Sequence, residues 1–355
     1  MKVAFATTWN SKCGVAVYSR SLIAEMEKKA GIDVVSLDRD MTQTPIRLAA
    51  RLNEGDIIHI QHQYPFFGGM AFHRNRFRQV LKRLKKPLVV TVHELDLGDR
   101  DTLPIRMYKQ WFNRHLFGTQ IDRIIVHTQE YQGRLQELGI DPSVIRVVPE
   151  GVPAVSPPSI SSMDAKHTLG LAGKRIITIF GFVVRRKGYE IALDAINRLP
   201  DDVVLLIAGG QHPDDHTGFI DELNEQISAD NLSGRVLVTG YLPENRVPLV
   251  MAATDVIAAP FTYMSNSSSI MRSIAYGKPI AASDLPATRE INERLPCLTL
   301  FEVSNPKDLA DKVLDLLEDE RKMADAVTAV RAYADTFTIG KSAAETIAVY
   351  EEICE

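Results

Sequence analysis

The stretch that decides the fold is residues 257–291, which read IAAPFTYMSNSSSIMRSIAYGKPIAASDLPATREI. A short apolar run ends at Pro260, and a polar loop then leads into an apolar helical pattern. The predicted start of that helix comprises Asn266, Ser267, Ser268 and Ser269. Gly277 and Pro279 end the helix, and a second strand follows at 279–283. A strand that leads into a helix through serines leaves backbone N–H groups and the positive end of the helix dipole for a phosphate.

The alternation of short strands and helices occurs twice along the chain. The predicted strands are 2–8, 34–37, 57–61, 88–92 and 123–127, and then 175–181, 203–208, 236–239, 256–260 and 280–283. A Pro- and Ser-rich segment at 153–163 separates the two sets. The pattern predicts an α/β protein with two Rossmann-like, doubly wound domains facing a cleft. We expect domains at 1–160 and 161–335, and a final helix at 336–355 that packs back toward the first domain.

Composition narrows the class of protein. The 355 residues carry a formal net charge of −4, which argues against a dedicated nucleic-acid binder. Cys13, Cys297 and Cys354 show no paired spacing, so we expect reduced thiols in the cytoplasm and no structural zinc. No apolar run approaches the ~20 residues of a membrane span, and the N-terminus predicts a first strand, not a signal peptide.

A basic loop lies between a predicted strand and a predicted helix. Its sequence, GFVVRRKG at 181–188, places Arg185, Arg186 and Lys187 in succession. Guanidinium and ammonium groups pair with phosphate oxygens, and the dipole of the following helix adds to that attraction. The simpler interpretation of the basic loop is a solvated turn, and that of Ser267–Ser269 is an ordinary N-cap. Because the basic loop and Ser267–Ser269 lie in the same half of the chain, we favour the interpretation that they form two sides of one diphosphate clamp.

Other candidates follow predicted strands of the first half. Gly14 lies in the loop after the first strand, but the loop lacks G-x-G-x-x-G, which removes the main support for a nicotinamide cofactor. His59, His62 and His93 lie at or near strand ends, and of these only His93 is favoured as a functional residue. The D-x-D at 38–40 and the two histidines of 212–216 are interpreted as loop and turn, and no metal site is expected.

Segment 73–86, HRNRFRQVLKRLKK, has seven Lys and Arg residues and no acid. Its apolar residues recur at helical spacing, so the segment predicts one amphipathic helix. The simpler interpretation is a crossover helix with its charges in water. The alternative is contact with an anionic acceptor or peripheral contact with an anionic membrane, at its inner face.

With these motifs placed, the chain resembles the retaining glycosyltransferases of the GT-B fold, specifically family 4. The resemblance covers nearly the whole chain and is carried by six stretches: TTWNSKCGVAVYSRSL, TVHELD, VVPEGVP, RRKGYEIALDAI, TGYLPENRVPLVMAATDVIAAPF and IAYGKPIAASDLPATREI. In that family an Arg and a Lys of a G-R-x-x-x-x-K-G pattern hold the donor diphosphate. Lys187 matches the Lys, whereas Phe182 stands at the Arg position, so Arg185 or Arg186 would supply the second cation.

The resemblance also implies roles for residues outside the basic loop. Ser265 and Ser273 stand where the family's E-x7-E acids are expected, and Glu290 matches an acid that often follows. His93 matches a His that typically contacts the donor sugar. A Ser can exchange a hydrogen bond with the donor but lacks the charge of a Glu.

The function implied is metal-independent transfer of a sugar, with retention, from a nucleoside diphosphate sugar to a glycan, lipid-linked or small-molecule acceptor. No cofactor is expected beyond the donor substrate, and no nucleic acid. The alternative is a catalytically silent GT-B protein that binds a nucleotide sugar or partners an active transferase. A nicotinamide-dependent oxidoreductase is a third and weaker option, because the glycine fingerprint is missing.

Overall fold

A computed structural model describes residues 1–38, 44–212, 217–264 and 268–354. The chain forms two compact units, one of residues 1–151 with 339–355 and the other of residues 152–338. The predicted boundary at 160/161 therefore lies inside the second unit. Among the described residues, no helix combines the length and the apolar character that crossing a bilayer requires.

The first unit contains a six-stranded parallel sheet in the order β2-β1-β3-β4-β5-β6. Its strands are β1 (Lys2–Thr7), β2 (Gly31–Ser36), β3 (Ile57–His62), β4 (Leu88–Val92), β5 (Arg123–Val126) and β6 (Ile145–Val147). Its helices are α1 (Gly14–Met26), α2 (Pro45–Leu52), α3 (Arg76–Leu81), α4 (Leu103–Phe117) and α5 (Gln129–Glu137), with short 3₁₀ turns at Tyr64–Phe67 and Pro142–Val144.

The second unit repeats the architecture with a sheet in the order β12-β11-β10-β7-β8-β9. Its strands are β7 (Arg175–Phe180), β8 (Val203–Ala208), β9 (Val236–Val238), β10 (Val256–Ala259), β11 (Ile280–Ser283) and β12 (Thr299–Phe301). Its helices are α6 (Ser162–Thr168), α7 (Tyr189–Ile196), α8 (Phe219–Ala229), α9 (Val247–Ala253), α10 (Ser268–Ala275), α11 (Pro286–Arg294), α12 (Pro306–Glu318) and α13 (Glu320–Thr336), with 3₁₀ turns at Arg185–Lys187 and Glu244–Arg246.

The last helix, α14 (Ile339–Glu351), belongs to the first unit and packs on α1. Its buried Ile347 and Tyr350 share an apolar cluster with Val3 and Phe5 of β1. The alternate residues of β1, among them Ala4, join a second cluster with residues of α2, α3 and α4. Helices therefore cover both faces of this sheet, as parallel strands require.

The sequence-based assignment differs from the structure at three places. Strands β6 and β12 were not predicted, because each is a three-residue edge strand that includes a polar residue, Arg146 or Thr299, whereas the equally short β9 is wholly apolar. Segment 73–86 does not form one helix, since α3 covers only Arg76–Leu81 and begins with the Asn75 side chain accepting from the Arg78 N–H at 3.1 Å. Lys82 ends α3, and residues 82–86 lie outside it.

Candidate functional site

Three glycines bring the strand ends of the second sheet into close backbone contact. Gly181 follows β7 with φ +96°, and Gly188 closes the basic loop with φ +67°. A Cβ on Gly188 would lie 1.9 Å from the Pro260 carbonyl oxygen, and one on Gly209 would lie 2.0 Å from the Gly181 carbonyl oxygen. Only glycine fits at these two positions. The basic loop is thereby held against the carboxyl ends of β8 and β10.

Lys187 is the buried cation of this loop. Lys187 is only 5% exposed, and its ammonium donates a hydrogen bond to the Phe180 carbonyl oxygen at the end of β7. A Cβ on Gly181 would approach the Lys187 Nζ to 2.8 Å, so the ammonium lies directly against the glycine. Desolvation, reinforced by the neighbouring Arg186 charge, lowers the pKa of Lys187 to about 7. A buried ammonium with a lowered pKa is typical of a site that receives a negative ligand.

The two arginines of the basic loop have different surroundings. The Arg185 guanidinium makes an ion pair with Glu222 of α8 and lies 4.5 Å from the centroid of the Phe219 ring. The Arg186 guanidinium lies 5.6 Å from the centroid of the Phe261 ring, the ring that also lies 5.9 Å from the Lys187 Nζ. Arg186 is therefore the cation that shares a location with Lys187.

The start of α10 lies beside the basic loop. Ser269 and Ser273 line one pocket with Lys187, and the walls of that pocket include Phe180, Pro260 and Phe261. Ser273 is fully buried, and its hydroxyl donates to the Ser269 carbonyl oxygen at 2.8 Å. Ser268 is the first residue of α10. Ser265, Asn266 and Ser267, also predicted to bind the donor, lie outside the described residues.

Three further side chains belong to the same unit but do not line this pocket. Phe182, at the position where the family has its Arg, contacts the Tyr241 and His212 rings at centroid distances of 6.3 and 4.8 Å. Glu290 of α11 is paired with Arg294, one helical turn further on, at 2.5 Å. Arg272, which was not singled out from the sequence, stacks 5.0 Å above the Phe180 ring centroid and contacts Glu244 at 2.6 Å.

In the first unit, His93 lies just after β4 among other aromatic side chains. Its ring is 5.4 Å from Tyr18 and 5.2 Å from His127 between centroids, and its Nε2 is 2.5 Å from the Gln61 Oε1. Burial, together with the neighbouring histidines His127, His59 and His62, holds the pKa of His93 well below its usual range. His93 is therefore a neutral imidazole at physiological pH.

The other two histidines of the predicted set are interior. His59 is fully buried in β3, and its Nε2 lies 2.7 Å from the Thr91 hydroxyl. His62 is also fully buried, stacked 5.6 Å from Phe67 and 5.2 Å from the Phe117 ring. Burial lowers the pKa of each imidazole to about 3. His62 is a core residue of this unit.

Gly14 begins α1, after a loop whose backbone is anchored by Asp38. The Asp38 carboxylate accepts from the N–H groups of Trp9, Asn10 and Ser11 at 2.7–3.1 Å, and from the Ser11 hydroxyl at 2.6 Å. Partial burial acts to raise the pKa of Asp38, but these hydrogen bonds outweigh it and lower the pKa to about 2. The first residue of the D-x-D motif therefore shapes the loop, as its interpretation as loop sequence suggested.

Exposed apolar side chains are concentrated on α4. Leu103, Ile105, Met107, Tyr108 and Trp111 are between 40% and 69% exposed, and we call these five residues the α4 surface. Phe72, from the segment just before α3, contacts Trp111 at 4.6 Å between ring centroids, and the Arg78 guanidinium lies 3.7 Å above the Phe72 ring. The α4 surface is therefore bordered by Phe72 and, through it, by Arg78 of the basic segment 73–86.

In the described part of the chain, no three His, Cys, Asp or Glu side chains are grouped so that they could hold a metal ion. Independence of metal stays a prediction.

Comparison with protein families gives two consecutive matches. A model described as Glycosyltransferase Family 4 matches residues 39–155, and one described as Glycosyl transferases group 1 matches residues 164–333. The 2-deoxystreptamine glucosyltransferase of Streptomyces kanamyceticus is 26% identical over 227 residues, 61% of this chain and 57% of that protein. The phosphatidyl-myo-inositol mannosyltransferase of Mycolicibacterium smegmatis is 24% identical over 278 residues, 77% of this chain and 67% of that protein. The chain thus spans little more than half the length of the first of these relatives.

Solved structures with the same fold match over almost the entire chain. Anabaena HepE, crystallised with UDP and glucose, is 18% identical with a TM-score of 0.81, covering 99% of this chain and 100% of that one. The sucrose-phosphate synthase of Thermosynechococcus elongatus is 14% identical with a TM-score of 0.77, covering 99% of both chains. These similarities and the two six-stranded parallel sheets confirm the predicted GT-B fold class.

Proposed function

Because the chain carries the two family models and the fold of group 1 GT-B glycosyltransferases, we propose that it transfers a sugar from a nucleoside diphosphate sugar to an acceptor. Retention at the anomeric carbon, and a carbohydrate or lipid-linked acceptor, are parts of this proposal. The observation that carries it is the buried ammonium of Lys187 beside Arg186, at the carboxyl end of β7 and next to α10. Ligands of doubly wound sheets bind at such strand ends.

The reaction requires stabilisation of a leaving diphosphate. As the bond between the anomeric carbon and the phosphate oxygen breaks, negative charge develops on that oxygen, and Lys187 and Arg186 are the cations suited to balance it. The backbone N–H groups at the start of α10 would add to them. In the front-face mechanism proposed for the family, the leaving phosphate takes the acceptor proton, so no carboxylate nucleophile is needed. Ser273 and Ser265 would replace the family acids at the donor, and metal would not be required.

A thermal shift screen against UDP- and GDP-sugars tests donor binding, since a ligand that binds only the folded state raises its melting temperature. UDP-glucose is the first donor to try, because HepE was crystallised with it. Release of nucleoside diphosphate from the stabilising donor, with Lys187→Ala as control, then tests catalysis. Donor binding without release from any donor would overturn the enzymatic proposal in favour of the catalytically silent alternative. Equal turnover with and without EDTA would support metal independence.

We also propose that the first unit meets an anionic membrane through the α4 surface and the adjoining basic residues. Residues 66–117 carry eleven Lys and Arg against four acids, whereas the chain as a whole has a net charge of −4. Exposed aromatic and aliphatic side chains next to cations favour the interface of an anionic bilayer. The contact predicted for 73–86 is thus extended to α4, because Phe77, Val80 and Leu81 of α3 are buried.

Cosedimentation with vesicles tests the membrane contact. We expect the double variant Leu103→Ser, Met107→Ser to lose binding to vesicles that contain phosphatidylglycerol, and neither protein to bind phosphatidylcholine alone. Met163→Ser is the matched control, because Met163 is 77% exposed on the other unit. Equal binding of all three proteins would contradict the proposal. A concentration-dependent dimer lost in the double variant would assign the α4 surface to a second copy of the chain instead.

A further inference from the structure

Arg272 of α10 and Glu244 form an ion pair next to Phe180, one wall of the pocket that contains Lys187. The Arg272 Nη2 donates to the Glu244 Oε2 at 2.6 Å and its Nη1 to the Oε1 at 3.3 Å, so one planar guanidinium holds both carboxylate oxygens. The Arg272 guanidinium also lies 5.0 Å above the Phe180 ring, while the Phe180 carbonyl oxygen accepts from Lys187. The pair and the buried ammonium are therefore fixed to the same residue of the second unit.

The pair brings a carboxylate to the strand ends of the second sheet. Glu244 begins the 3₁₀ turn that follows β9, and Phe180 is the last residue of β7. Ligands of doubly wound sheets bind at the carboxyl ends of the strands. The sequence of α10, SSIMRSIA, contains no acid, and the Ser273 hydroxyl already donates to the Ser269 carbonyl oxygen. Glu244 thus supplies a negative charge that α10 does not.

The two side chains of the pair differ in exposure. The Glu244 side chain is 62% exposed, whereas that of Arg272 is only 15% exposed. A carboxylate has about four acceptor positions, so the bonds from Arg272 leave one lone pair on each oxygen for a ligand. The guanidinium charge balances that of the carboxylate, so Glu244 does not repel a diphosphate as an unpaired acid would. The pair can therefore accept from two hydroxyl groups without adding net negative charge.

We propose that Glu244 accepts hydrogen bonds from the two vicinal hydroxyls of the ribose of a nucleoside diphosphate, and that Arg272 is a positioning residue that holds its carboxylate. The proposal rests on the proposed function, in which Lys187 holds the diphosphate. Two neighbouring hydroxyls match the two oxygens of one carboxylate. A nucleotide that lacks one of these hydroxyls forfeits a hydrogen bond to a charged group, and the site discriminates against it.

Calorimetric titration with UDP and 2′-deoxy-UDP, and with GDP and 2′-deoxy-GDP, tests the proposal through the ratio of the two affinities in each pair. For the nucleotide that binds, we expect the wild type to prefer the ribose form by about tenfold or more. In Glu244→Gln, which keeps the volume and removes the charge, the ratio should fall to about threefold or less. In Arg272→Gln both forms should bind more weakly, and the ratio should also fall, because the carboxylate is no longer held.

Asp202→Asn is the matched control for Glu244→Gln. Asp202 makes a similar two-bond pair with Arg175, at 2.6 and 2.9 Å, but Arg175 is the first residue of β7 and lies at the opposite end of that strand. The control should keep the wild-type ratio. If Arg272→Gln does not unfold cooperatively, Arg272→Lys takes its place, since an ammonium keeps the charge but lacks the planar fork that holds both oxygens.

The outcomes separate this inference from the proposed function. Equal affinity of the wild type for the ribose and deoxyribose forms, or a ratio in Glu244→Gln equal to that of the wild type, would overturn the role of Glu244 even if donor turnover is observed. A wild-type ratio retained in the Arg272 variant would overturn the positioning role of Arg272. Absence of donor turnover together with the expected ratios would contradict the proposed function and leave Glu244 as a nucleotide-binding residue.

Discussion

The ammonium of Lys187 lies so close to Gly181 that a single methyl group on the glycine would come within 2.8 Å of Nζ. Gly181 also has φ +96°, which side chains with a Cβ rarely adopt. We therefore expect Gly181→Ala to displace Lys187 and to weaken nucleotide binding by about tenfold or more, in addition to a loss of about 1 kcal/mol in the free energy of unfolding. Calorimetric titration and thermal unfolding measure the two effects.

Gly170→Ala is the matched control for that substitution. Gly170 has φ +71°, but no atom lies within 4 Å of the position that its Cβ would take. The control should lose stability by a similar amount and keep its affinity for nucleotide. Equal affinities of the two variants would show that the contact of Gly181 with Lys187 does not matter for binding.

The Lys187 ammonium should strengthen the binding of an anionic ligand but lower the free energy of unfolding of the protein without ligand. We expect Lys187→Met to raise the free energy of unfolding by about 1–3 kcal/mol at pH 7, because each unit by which the pKa is lowered represents about 1.4 kcal/mol and part of the gain is lost with the hydrogen bond to Phe180. In a domain of this size, each kcal/mol raises the melting temperature by roughly 2–4 °C.

The pH dependence of that gain has a definite sign. The pKa of Lys187 is lowered to about 7 in the folded protein from 10.5, so the cost of the buried charge is fully present below pH 7. Between pH 7 and 10.5 the folded protein releases the proton and the cost is relieved. The stability advantage of Lys187→Met should therefore shrink over this window. An advantage that grows with pH, or a destabilised variant at pH 7, would contradict a desolvated ammonium.

The two arginines of the basic loop should contribute unequally to binding. We expect Arg186→Gln to weaken nucleotide binding by about tenfold or more, because Arg186 shares its location with Lys187. Arg185→Gln should change the affinity by less than about threefold, since the Arg185 guanidinium is paired with Glu222 and lies against the Phe219 ring, away from the ring that Arg186 and Lys187 share. The reverse order of the two affinities would assign the second cation to Arg185.

Asp38 should hold the loop before Gly14. In Asp38→Ala we expect faster hydrogen exchange at the amides of Asn10 and Ser11, and a lower melting temperature at pH 7, because three backbone N–H groups lose their acceptor. The pKa of Asp38 is lowered from 3.8 to about 2, so this stabilisation is present above pH 3.8 and is lost as the pH falls through 2. The difference between the wild type and the variant should disappear there.

Asp33→Ala is the control for Asp38. Asp33 lies on β2, which ends at Ser36, before Asp38, and the ion pairs of Asp33 with Lys2 and Arg51 are at 3.7 and 3.3 Å on the partly exposed surface. It should leave the exchange of Asn10 and Ser11 unchanged. If both variants accelerate exchange equally, the loop is not anchored by Asp38.

The fold could be predicted because parallel strands buried on both faces appear as continuous apolar runs between helical patterns. The short edge strands β6 and β12 gave no such pattern. Segment 73–86 has helical periodicity throughout, but only its middle part, Arg76–Leu81, is a helix, because Lys and Arg favour a helix without supplying the packing that holds one. The apolar residues exposed near it are on α4, which sequence reasoning did not single out.

The candidate site could be predicted where each of its residues comes shortly after a predicted strand. Lys187 and Ser269 both follow parallel strands, and such strand ends meet at one edge of a sheet. The choice between Arg185 and Arg186 depends on Glu222, which a single sequence does not connect to the basic loop. The contacts of His93 with Gln61, His59 and Tyr350 arise from the strand register and from the packing of α14. These long-range contacts have no local pattern.

The central claim is that Lys187 holds the diphosphate of a nucleotide sugar, and calorimetric titration of the donor selected in the thermal shift screen tests it most directly. Titration at pH 6.5 and pH 8.5, in buffers of different ionisation enthalpy, measures both affinity and proton uptake. We predict uptake of nearly one proton at pH 8.5 and of much less at pH 6.5, an affinity that falls by about tenfold per pH unit above 7, and an affinity reduced about 10- to 100-fold in Lys187→Met. Equal affinity of the wild type and Lys187→Met, with no proton uptake, would contradict the account.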